Sequence, residues 1–370
     1  MLKPPYNEKD ISGCAVTGIM DITGQRFSSN EIVTSISCMR DRSNGLGGGF
    51  AAYGIYPEYK DYYAFHMMYL NTDRRYDVEE YLNKKFSIIA SEKIPTAKVA
   101  TVGESPILWR YFLSVEDKPA NISEEDFVVK TVMEINSNVD GAFVASSGKN
   151  MGVFKGVGYP EDIARFYKLD EYEGYIWLSH GRFPTNTVGW WGGAHPFNIL
   201  NWSVVHNGEL SSYGINARNL EMYGYKCNLK TDTEVVAYTI DLLMRKHGLP
   251  LDIVAKIIAA PLWSEIDNAD EKEKNLLTRL RQTYSSLLLN GPFSFIIANN
   301  EQMIGITDRI RLRPLIAGQK GNKVYISTEE AAIRAVESDL NDFIVPRGGE
   351  PIVAKLKPKK LQKKAVIVQN

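Results

Sequence analysis

The chain has 370 residues, of which 44% are hydrophobic and 24% are charged, a composition typical of a globular protein with two or three domains. Its 43 basic and 44 acidic residues give a net charge of −1, which argues against a nucleic-acid or membrane partner. The three cysteines are odd in number and widely spaced, which excludes a disulfide framework, and they lack the spacing of a zinc site, so no metal is predicted. The sequence contains no apolar export signal or membrane-spanning segment, so we predict a cytoplasmic protein.

The first elements of the chain are predicted to be a strand and a helix. Residues 14–22 have the composition of a strand, and a helix is predicted from Ser28 to Arg40, where Ser28 and Glu31 have the spacing of a capping box. The glycine-rich segment 42–49 lacks the Gly-Lys-Ser/Thr sequence of a phosphate loop. It is therefore predicted to be a flexible turn.

Residues 51–147 have a different pattern from the rest of the chain. Their apolar runs alternate in the order strand, helix, strand, strand, helix, strand, which predicts an inserted ferredoxin-like α+β subdomain. His66 lies on the first of these strands between apolar neighbours. We predict that it is a packed core residue and not a ligand, and no catalytic cluster is evident in the insertion.

Downstream of the insertion, helices and then strands are predicted. Thr231 and Glu234 have the spacing of a second capping box, at the start of a helix that Gly248 ends. Two helices, at 251–260 and 270–289, precede four strands. The six lysines between Lys355 and Lys364 are predicted to line a solvated edge strand, with a docking surface as the alternative.

The segment 180–209 holds the residue types of a small-molecule site. Arg182 is suited to bind a carboxylate, and Asn207 and Gly208 offer side-chain and backbone N–H donors for an oxyanion. The segment lacks a nucleophile.

Cys14 is the candidate for that nucleophile. Removal of Met1–Gly13 would leave it with a free α-amine, whose ordinary pKa of about 7.7 to 8.0 suits a general base. One residue would then supply both nucleophile and base. Cys38 and Cys227 have no comparable context and are predicted to be structural.

Together these motifs resemble the class II glutamine amidotransferases, whose domain is an N-terminal-nucleophile hydrolase. The resemblance rests on five segments in the family's order: CAVTGIMD, HGRFPTN, AHP, HNGE and TDTE. It implies an α+β fold, a four-layer αββα sandwich, into which the ferredoxin-like subdomain is inserted. The implied boundaries are a leader at 1–13, the amidotransferase domain at 14–50 and 148–357, the insertion at 51–147, and a basic tail at 358–370.

The resemblance also implies the reacting residues. Cys14 would attack the side-chain amide of glutamine, and Asn207 with the Gly208 N–H would hold the oxyanion. Ammonia would leave, and water would release glutamate from a thioester.

Four further residues would bind glutamine. By the resemblance, Arg182 would hold the α-carboxylate and Asp232 the α-ammonium, while Thr185 and His195 would shape the pocket. The glycines and tryptophans at 189–193 predict a loop that closes over the bound amino acid.

Within the family, the chain is most similar to the amidotransferase part of glutamate synthase. The similarity lies in RFPTNT, the following tryptophans, HNGE and DRIRLRPLIAG, although Arg311 stands where glycine is expected. It implies a separate synthase subunit that carries the flavin and iron–sulfur cluster, with no cofactor in this chain. The alternatives are a stand-alone glutaminase, an amidotransferase subunit for another acceptor, and a noncatalytic glutamine-binding regulatory module.

Overall fold

A computed structural model describes residues 13–183 and 189–358. Within these ranges the strands are β1 (Ala15–Asp21), β2 (Phe27–Ser28), β3 (Gly48–Tyr53), β4 (Tyr63–Tyr69), β5 (Ser87–Lys93), β6 (Ile107–Ser114), β7 (Ala142–Ser146), β8 (Met151–Gly156), β9 (Glu173–Gly174), β10 (Ile176–Gly181), β11 (Phe197–Ile199), β12 (Trp202–Gly208), β13 (Phe293–Asn299), β14 (Gln302–Thr307), β15 (Ile316–Lys320), β16 (Lys323–Ser327), β17 (Phe343–Ile344) and β18 (Ile352–Lys355). The helices are α1 (Asn30–Ser37), α2 (Thr72–Asn83), α3 (Glu124–Asn138), α4 (Pro160–Phe166), α5 (Tyr213–Glu221), α6 (Asp232–Ile240), α7 (Leu251–Ile258), α8 (Trp263–Asn268), α9 (Glu271–Tyr284) and α10 (Glu330–Arg334). None of these helices combines the length and the apolar character that crossing a membrane requires.

A seven-stranded antiparallel sheet has β1 at its centre, in the order β17-β15-β16-β1-β10-β3-β8. Successive side chains of a strand point to opposite faces, and β1 shows this alternation. Ala15 and Ile19 pack in a cluster with Ile32 of α1, whereas Val16 and Met20 belong to the cluster on the other face. Every residue of β1 is buried, because both faces of the sheet are covered.

A second sheet, in the order β11-β12-β13-β14-β18, stacks against the first. Val205 and Ile296 share the intersheet cluster with Val16. The contact is close at Gly18, where a Cβ would lie 2.7 Å from the Sδ of Met303.

Helices cover the outer face of each sheet. Helices α1, α4 and α10 pack on the seven-stranded sheet, and α6 and α7 belong to the cluster on the far side of the five-stranded one. The order of layers is therefore helix, sheet, sheet, helix. The predicted α+β fold, an αββα sandwich, is confirmed.

The inserted part forms a sheet of its own. Its elements follow the order β4-α2-β5-β6-α3-β7, and its antiparallel strands lie in the order β5-β6-β4-β7, which is the predicted ferredoxin-like arrangement. His66 is 1% exposed, and its Nε2 lies 2.7 Å from the Tyr56 hydroxyl, so it is a core residue as predicted. Residues 51–53 belong to β3 of the main sheet, and the predicted domain boundaries remain a prediction.

The capping box predicted at Ser28 is wrong. Ser28 belongs to the short strand β2, where it pairs with Glu173, so α1 begins only at Asn30. Of the second predicted capping box, only one of its two hydrogen bonds forms. The Thr231 hydroxyl accepts the backbone N–H of Glu234, but the Glu234 carboxylate accepts the backbone N–H groups of Asn228 and Leu229 instead of that of Thr231.

The helix that follows Thr231 ends as predicted. α6 continues into a π-helical turn over Asp241–Lys246, and Gly248 has a φ of +63°. Lys355 lies on β18, at the edge of the five-stranded sheet, where an edge lysine was predicted. The lysines from Lys359 onward lie outside the described residues.

Candidate active site

Cys14 lies directly before β1, the central strand of the larger sheet. The pairing of Ala15 with Gly181 brings the end of β10 beside it, and the backbone N–H of Phe183 donates to the Cys14 Sγ at 3.4 Å. Arg42 Nε donates to the Cys14 carbonyl oxygen at 3.5 Å. The sheet register thus fixes the thiol next to the segment that carries Arg182.

A cavity of about 290 Å³ opens at this point. Its volume is near the lower limit of small-molecule sites, about 300 Å³. Thr185 lies outside the described residues, and the other predicted site residues all line the cavity. Those residues are Cys14, Arg182, His195, Asn207, Gly208 and Asp232.

The side chain of Arg182 runs along the glycine-rich segment. A Cβ on Gly47 would lie 3.0 Å from Arg182 Cδ, and one on Gly49 would lie 2.2 Å from the His195 carbonyl oxygen. Gly49 already belongs to β3, so the predicted flexible turn is shorter than expected. Its glycines make room for Arg182 and His195. The arginine is 6% exposed; burial lowers the pKa of its guanidinium, and Cys14 and Asp232 oppose that shift.

Asp232 is the first residue of α6, whose N-cap is Thr231. Its Oδ2 accepts the backbone N–H of Leu210 at 2.9 Å, and its Oδ1 lies 3.7 Å from His206 Nδ1. Burial raises the pKa of this carboxyl, but His206, the Leu210 N–H and Thr233 together hold it below its ordinary value. The cavity therefore contains a carboxylate at neutral pH.

Asn207 and Gly208 end β12, at the wall of the cavity. Asn207 is fully buried, and neither its Oδ1 nor its Nδ2 has a hydrogen-bond partner among the described residues. A Cβ on Gly13 would lie 3.7 Å from Asn207 Oδ1, so this amide lies close to the Gly13–Cys14 peptide. A buried amide without partners is costly, so Asn207 is poised to pair with a bound molecule.

The backbone of Gly208 has a conformation that other residues rarely adopt. Its φ is +151°, and a Cβ would lie 2.0 Å from the carbonyl oxygen of Pro292. Glycine is therefore required for the chain to pass the cavity at this position.

Three buried histidines, His180, His195 and His206, lie together at the cavity. The rings of His180 and His195 stack with centroids 3.9 Å apart, and Thr233 Oγ1 lies 2.7 Å from His195 Nε2 and 3.0 Å from His206 Nδ1. His180 Nε2 donates to the carbonyl oxygen of His206 at 2.8 Å. Burial lowers the pKa of His180 to about 3 and places that of His195 well below its ordinary value. His195, predicted to shape the pocket, is thus a fixed, uncharged wall residue.

The thiol itself is not activated by its protein neighbours alone. Burial raises the pKa of Cys14, although the Phe183 N–H and Arg182 act in the opposite direction. A thiol with a raised pKa needs a base to react at neutral pH. The groups that line the cavity include the Arg182 cation and the Asp232 carboxylate, which suit the two ends of an amino acid, and N–H donors for an oxyanion.

His206, Thr233 and Arg313 are among the cavity residues that were given no role in the site from the sequence. His206 and Thr233 adjoin Asn207 and Asp232 along the chain, and this adjacency was the signal available for them. Arg313 comes from the DRIRLRP segment, and its Nε is buried without a partner among the described residues. In the same segment Arg311 has a φ of +53°, in the region that favours the glycine expected there.

No group of three or more histidine, cysteine, aspartate or glutamate residues in 13–183 and 189–358 could hold a metal ion.

The two tryptophans of the segment 189–193 pack against aromatic rings of the protein. The ring centroids of Trp190 and Phe143 are 5.2 Å apart, and those of Trp191 and Phe166 are 5.6 Å apart. Closure of this loop over a ligand remains a prediction.

The relatives that comparison with known proteins finds for this chain include the following three. A protein of Archaeoglobus fulgidus is 55% identical over 355 residues, covering 95% of this chain and 94% of its own. The amidophosphoribosyltransferase of Methanocaldococcus jannaschii is 28% identical over 212 residues, covering 56% of this chain and 39% of the relative. The glutamate synthase [NADPH] large chain of Bacillus subtilis is 23% identical over 319 residues, covering 76% of this chain and 20% of the relative.

The chain therefore spans less than half the length of the two relatives whose activities are known by name. The family described as "Glutamine amidotransferases class-II" matches residues 51–367, which is most of the chain. On that match, and in agreement with the αββα fold and the residues around Cys14, the protein belongs to the class II glutamine amidotransferases.

Proposed function

We propose that this chain hydrolyses glutamine to glutamate and ammonia through a thioester on Cys14. The observation that carries the proposal is the cavity, in which a thiol, a buried arginine, a carboxylate and an Asn–Gly pair meet within about 290 Å³. The arginine suits the α-carboxylate of glutamine, the cavity carboxylate suits its α-ammonium, and the thiol with the Asn–Gly pair suits its side-chain carboxamide. A thiol near a fixed carboxamide is the arrangement required for acyl transfer.

Binding comes first in the proposed reaction. Arg182 holds the α-carboxylate through charge-assisted hydrogen bonds, and Asp232 accepts from the α-ammonium. His195 limits the pocket as an uncharged wall, and Thr185 keeps its predicted part in shaping it. With both charged groups fixed, the side chain of glutamine extends towards Cys14.

Chemistry then proceeds in two halves. The Cys14 thiolate attacks the carboxamide carbon, and the electron pair of the C=O bond moves to oxygen, where Asn207 Nδ2 and the Gly208 N–H stabilise the charge. The C–N bond breaks as the nitrogen takes, from the α-amine of Cys14, the proton that the thiol gave up, which leaves ammonia and a glutamyl thioester. Water attacks the thioester, and glutamate and the Cys14 thiol are released.

Removal of Met1–Gly13 supplies the base in this proposal. The new α-amine of Cys14 would lie near two guanidinium groups, because Arg42 Nη2 and Arg313 Nη1 lie 3.0 and 3.4 Å from the position of a Cβ on Gly13. Nearby positive charges disfavour the protonated amine. In its neutral form this amine can accept the thiol proton.

Replacement of cysteines tests the proposal. Cys14→Ala is expected to abolish the release of glutamate and ammonia, which the wild-type chain should produce in equal amounts. Cys38→Ala is the matched control, since Cys38 is an exposed free cysteine at the end of α1 and should keep full activity. Turnover by Cys14→Ala at the wild-type rate would overturn the proposal, and glutamine binding without turnover by the wild-type chain would favour the noncatalytic alternative.

We further propose that a separate glutamate synthase subunit, carrying flavin and an iron–sulfur cluster, receives the ammonia. Two observations support this acceptor over others. The glutamate synthase match covers 76% of this chain, against 56% for the amidophosphoribosyltransferase. The left-handed backbone at Arg311 also agrees with the glycine of the glutamate synthase motif.

Purification of the tagged chain from its own organism tests the acceptor. A flavoprotein should copurify, and it should form glutamate from 2-oxoglutarate and glutamine only while this chain is present. Copurification without a flavoprotein, with glutaminase turnover unaffected by an added synthase, would contradict the proposed acceptor while leaving the glutaminase reaction intact.

A further inference from the structure

A second cavity lies in the ferredoxin-like insertion, far along the chain from every residue that lines the first one. It measures about 460 Å³ and lies between the start of α2, the end of β5 and the start of β6. The charged and hydroxyl-bearing residues of its lining are two cations and three hydroxyl residues, and no carboxylate of the described residues 13–183 and 189–358 lines it. Those five residues are Thr72, Arg75, Lys93, Thr96 and Ser105.

We propose that this cavity binds a small anionic ligand, a phosphate or a carboxylate, through Arg75 and Lys93. Both groups are oxyanions, and arginine and lysine are the side chains that recognise them. The volume lies within the range of about 300 to 1,000 Å³ that is usual for small-molecule sites. The proposed glutaminase reaction makes no use of this cavity, so the inference stands independently of that reaction.

Arg75 is held in place before any ligand binds. Its side chain is 15% exposed, and its guanidinium carbon lies 4.5 Å from the ring centroid of Trp109 and 4.4 Å from that of Tyr76. Its Nη1 pairs with Glu79, which also accepts the Tyr111 hydroxyl. A guanidinium has five N–H donors, more than one carboxylate can accept, so a fixed arginine can bind an anion with little further loss of side-chain entropy.

Lys93 adds a second positive charge. It is an exposed residue at the end of β5, and no ion pair to it occurs within the described part of the chain. The adjacent Glu92 is engaged elsewhere, because Arg110 Nε donates to its carboxylate at 2.7 Å. The side chain of Lys93 is therefore available to the cavity.

Calorimetric titration of the full chain tests the site with three probes: inorganic phosphate, adenosine monophosphate and 2-oxoglutarate. At least one probe should bind with a Kd below about 1 mM, and the set that binds distinguishes a phosphate from a carboxylate ligand. Arg75→Met should weaken that binding about tenfold or more, as expected for loss of charge-assisted hydrogen bonds. Lys93→Met should weaken it and reduce its dependence on salt.

Arg74→Met is the matched control. Arg74 adjoins Arg75 on α2, is 44% exposed, pairs with Asp77 and does not line the cavity, so its loss should leave binding unchanged. An unchanged midpoint of thermal unfolding would show that each variant is folded, and Lys93→Met, at an exposed position, serves if Arg75→Met does not fold. The proposal is overturned if no probe binds, if binding survives both cavity substitutions, or if Arg74→Met weakens binding equally. Binding of a carboxylate at Arg182, in the first cavity, would persist in both Arg75→Met and Lys93→Met and so would count against the proposal.

Discussion

Replacement of Asn207 by alanine should separate catalysis from stability. Asn207 is proposed to donate to the oxyanion, and removal of one such donor lowers kcat by about 10² to 10³-fold, or roughly 2.7 to 4 kcal/mol. Binding of glutamine should change much less, because Arg182 and Asp232 hold the charged end of the substrate. The expected signature is therefore a fall in kcat with KM nearly unchanged.

The effect on stability follows from the surroundings of the amide. Asn207 is fully buried and neither of its polar atoms has a partner among the described residues, so alanine removes no hydrogen bond there. Each unpaired buried group costs about 1 to 3 kcal/mol, and relief of that cost opposes the loss of side-chain packing. We expect the free energy of unfolding to change by no more than about 1 kcal/mol in either direction.

Asn216 provides the matched control, since it is also a fully buried asparagine. Its Nδ2 donates to the carbonyl oxygens of Ser286 and Leu288, at 2.6 and 3.1 Å. Asn216→Ala should therefore lower the free energy of unfolding by roughly 2 to 4 kcal/mol and leave the kcat of the folded enzyme unchanged.

Steady-state kinetics and urea unfolding of both variants measure these effects. The reasoning fails if Asn207→Ala lowers kcat by less than about fivefold. It also fails if Asn207→Ala is as unstable as Asn216→Ala and its activity falls only in proportion to the unfolded fraction.

Three further predictions concern the same cavity. Gly208→Ala should lower the free energy of unfolding by more than about 2 kcal/mol, because its Cβ would lie 2.0 Å from a carbonyl oxygen. Gly224→Ala is the control: its φ is +89° and nothing lies within 4 Å of an added Cβ, so the substitution should cost only about 1 kcal/mol. Equal losses of stability in thermal unfolding of the two variants would contradict this prediction. Arg182→Met should raise KM at least about tenfold with a smaller change in kcat, and a kcat effect alone would mean that the arginine does not bind the carboxylate. The pKa of Asp232 is lowered from 3.8 in the folded chain, so its ionised form stabilises the fold above that value, and the contribution disappears as pH falls through the lowered pKa. Urea unfolding at about pH 7, 4 and 2.5 should show a wild-type advantage over Asp232→Asn that shrinks towards the lowest pH, and an advantage independent of pH would refute the assignment.

Much of the site was predictable because its residues are encoded as local motifs. Asn207 and Gly208 adjoin each other, and Asp232 follows an N-cap threonine, so the sequence specifies each short piece of the cavity wall. Cys14 and Arg182 are 168 positions apart, and their proximity depends on the pairing of Ala15 with Gly181. Recognition of the ordered motifs, and not periodicity alone, predicted that they would meet.

The remainder depended on tertiary contacts that the sequence does not display. Ser28 has the spacing of a cap, but its pairing with Glu173, far along the chain, delays the start of α1. The glycines of 42–49 were interpreted as flexible, whereas contacts with Arg182 and His195 require the absence of side chains at Gly47 and Gly49. Arg313 lies in the cavity because the segment after β14 folds back towards Cys14, which no local pattern indicates.

The mass of the purified chain, before and after reaction with a glutamine-like diazo-ketone, tests most directly whether Cys14 is an N-terminal nucleophile. The mass should lack the thirteen residues Met1–Gly13, and one adduct should form, on Cys14, with glutamine protecting against it. A chain that retains the leader and forms no adduct, or one that is labelled at Cys38 or Cys227, would contradict the proposed reaction.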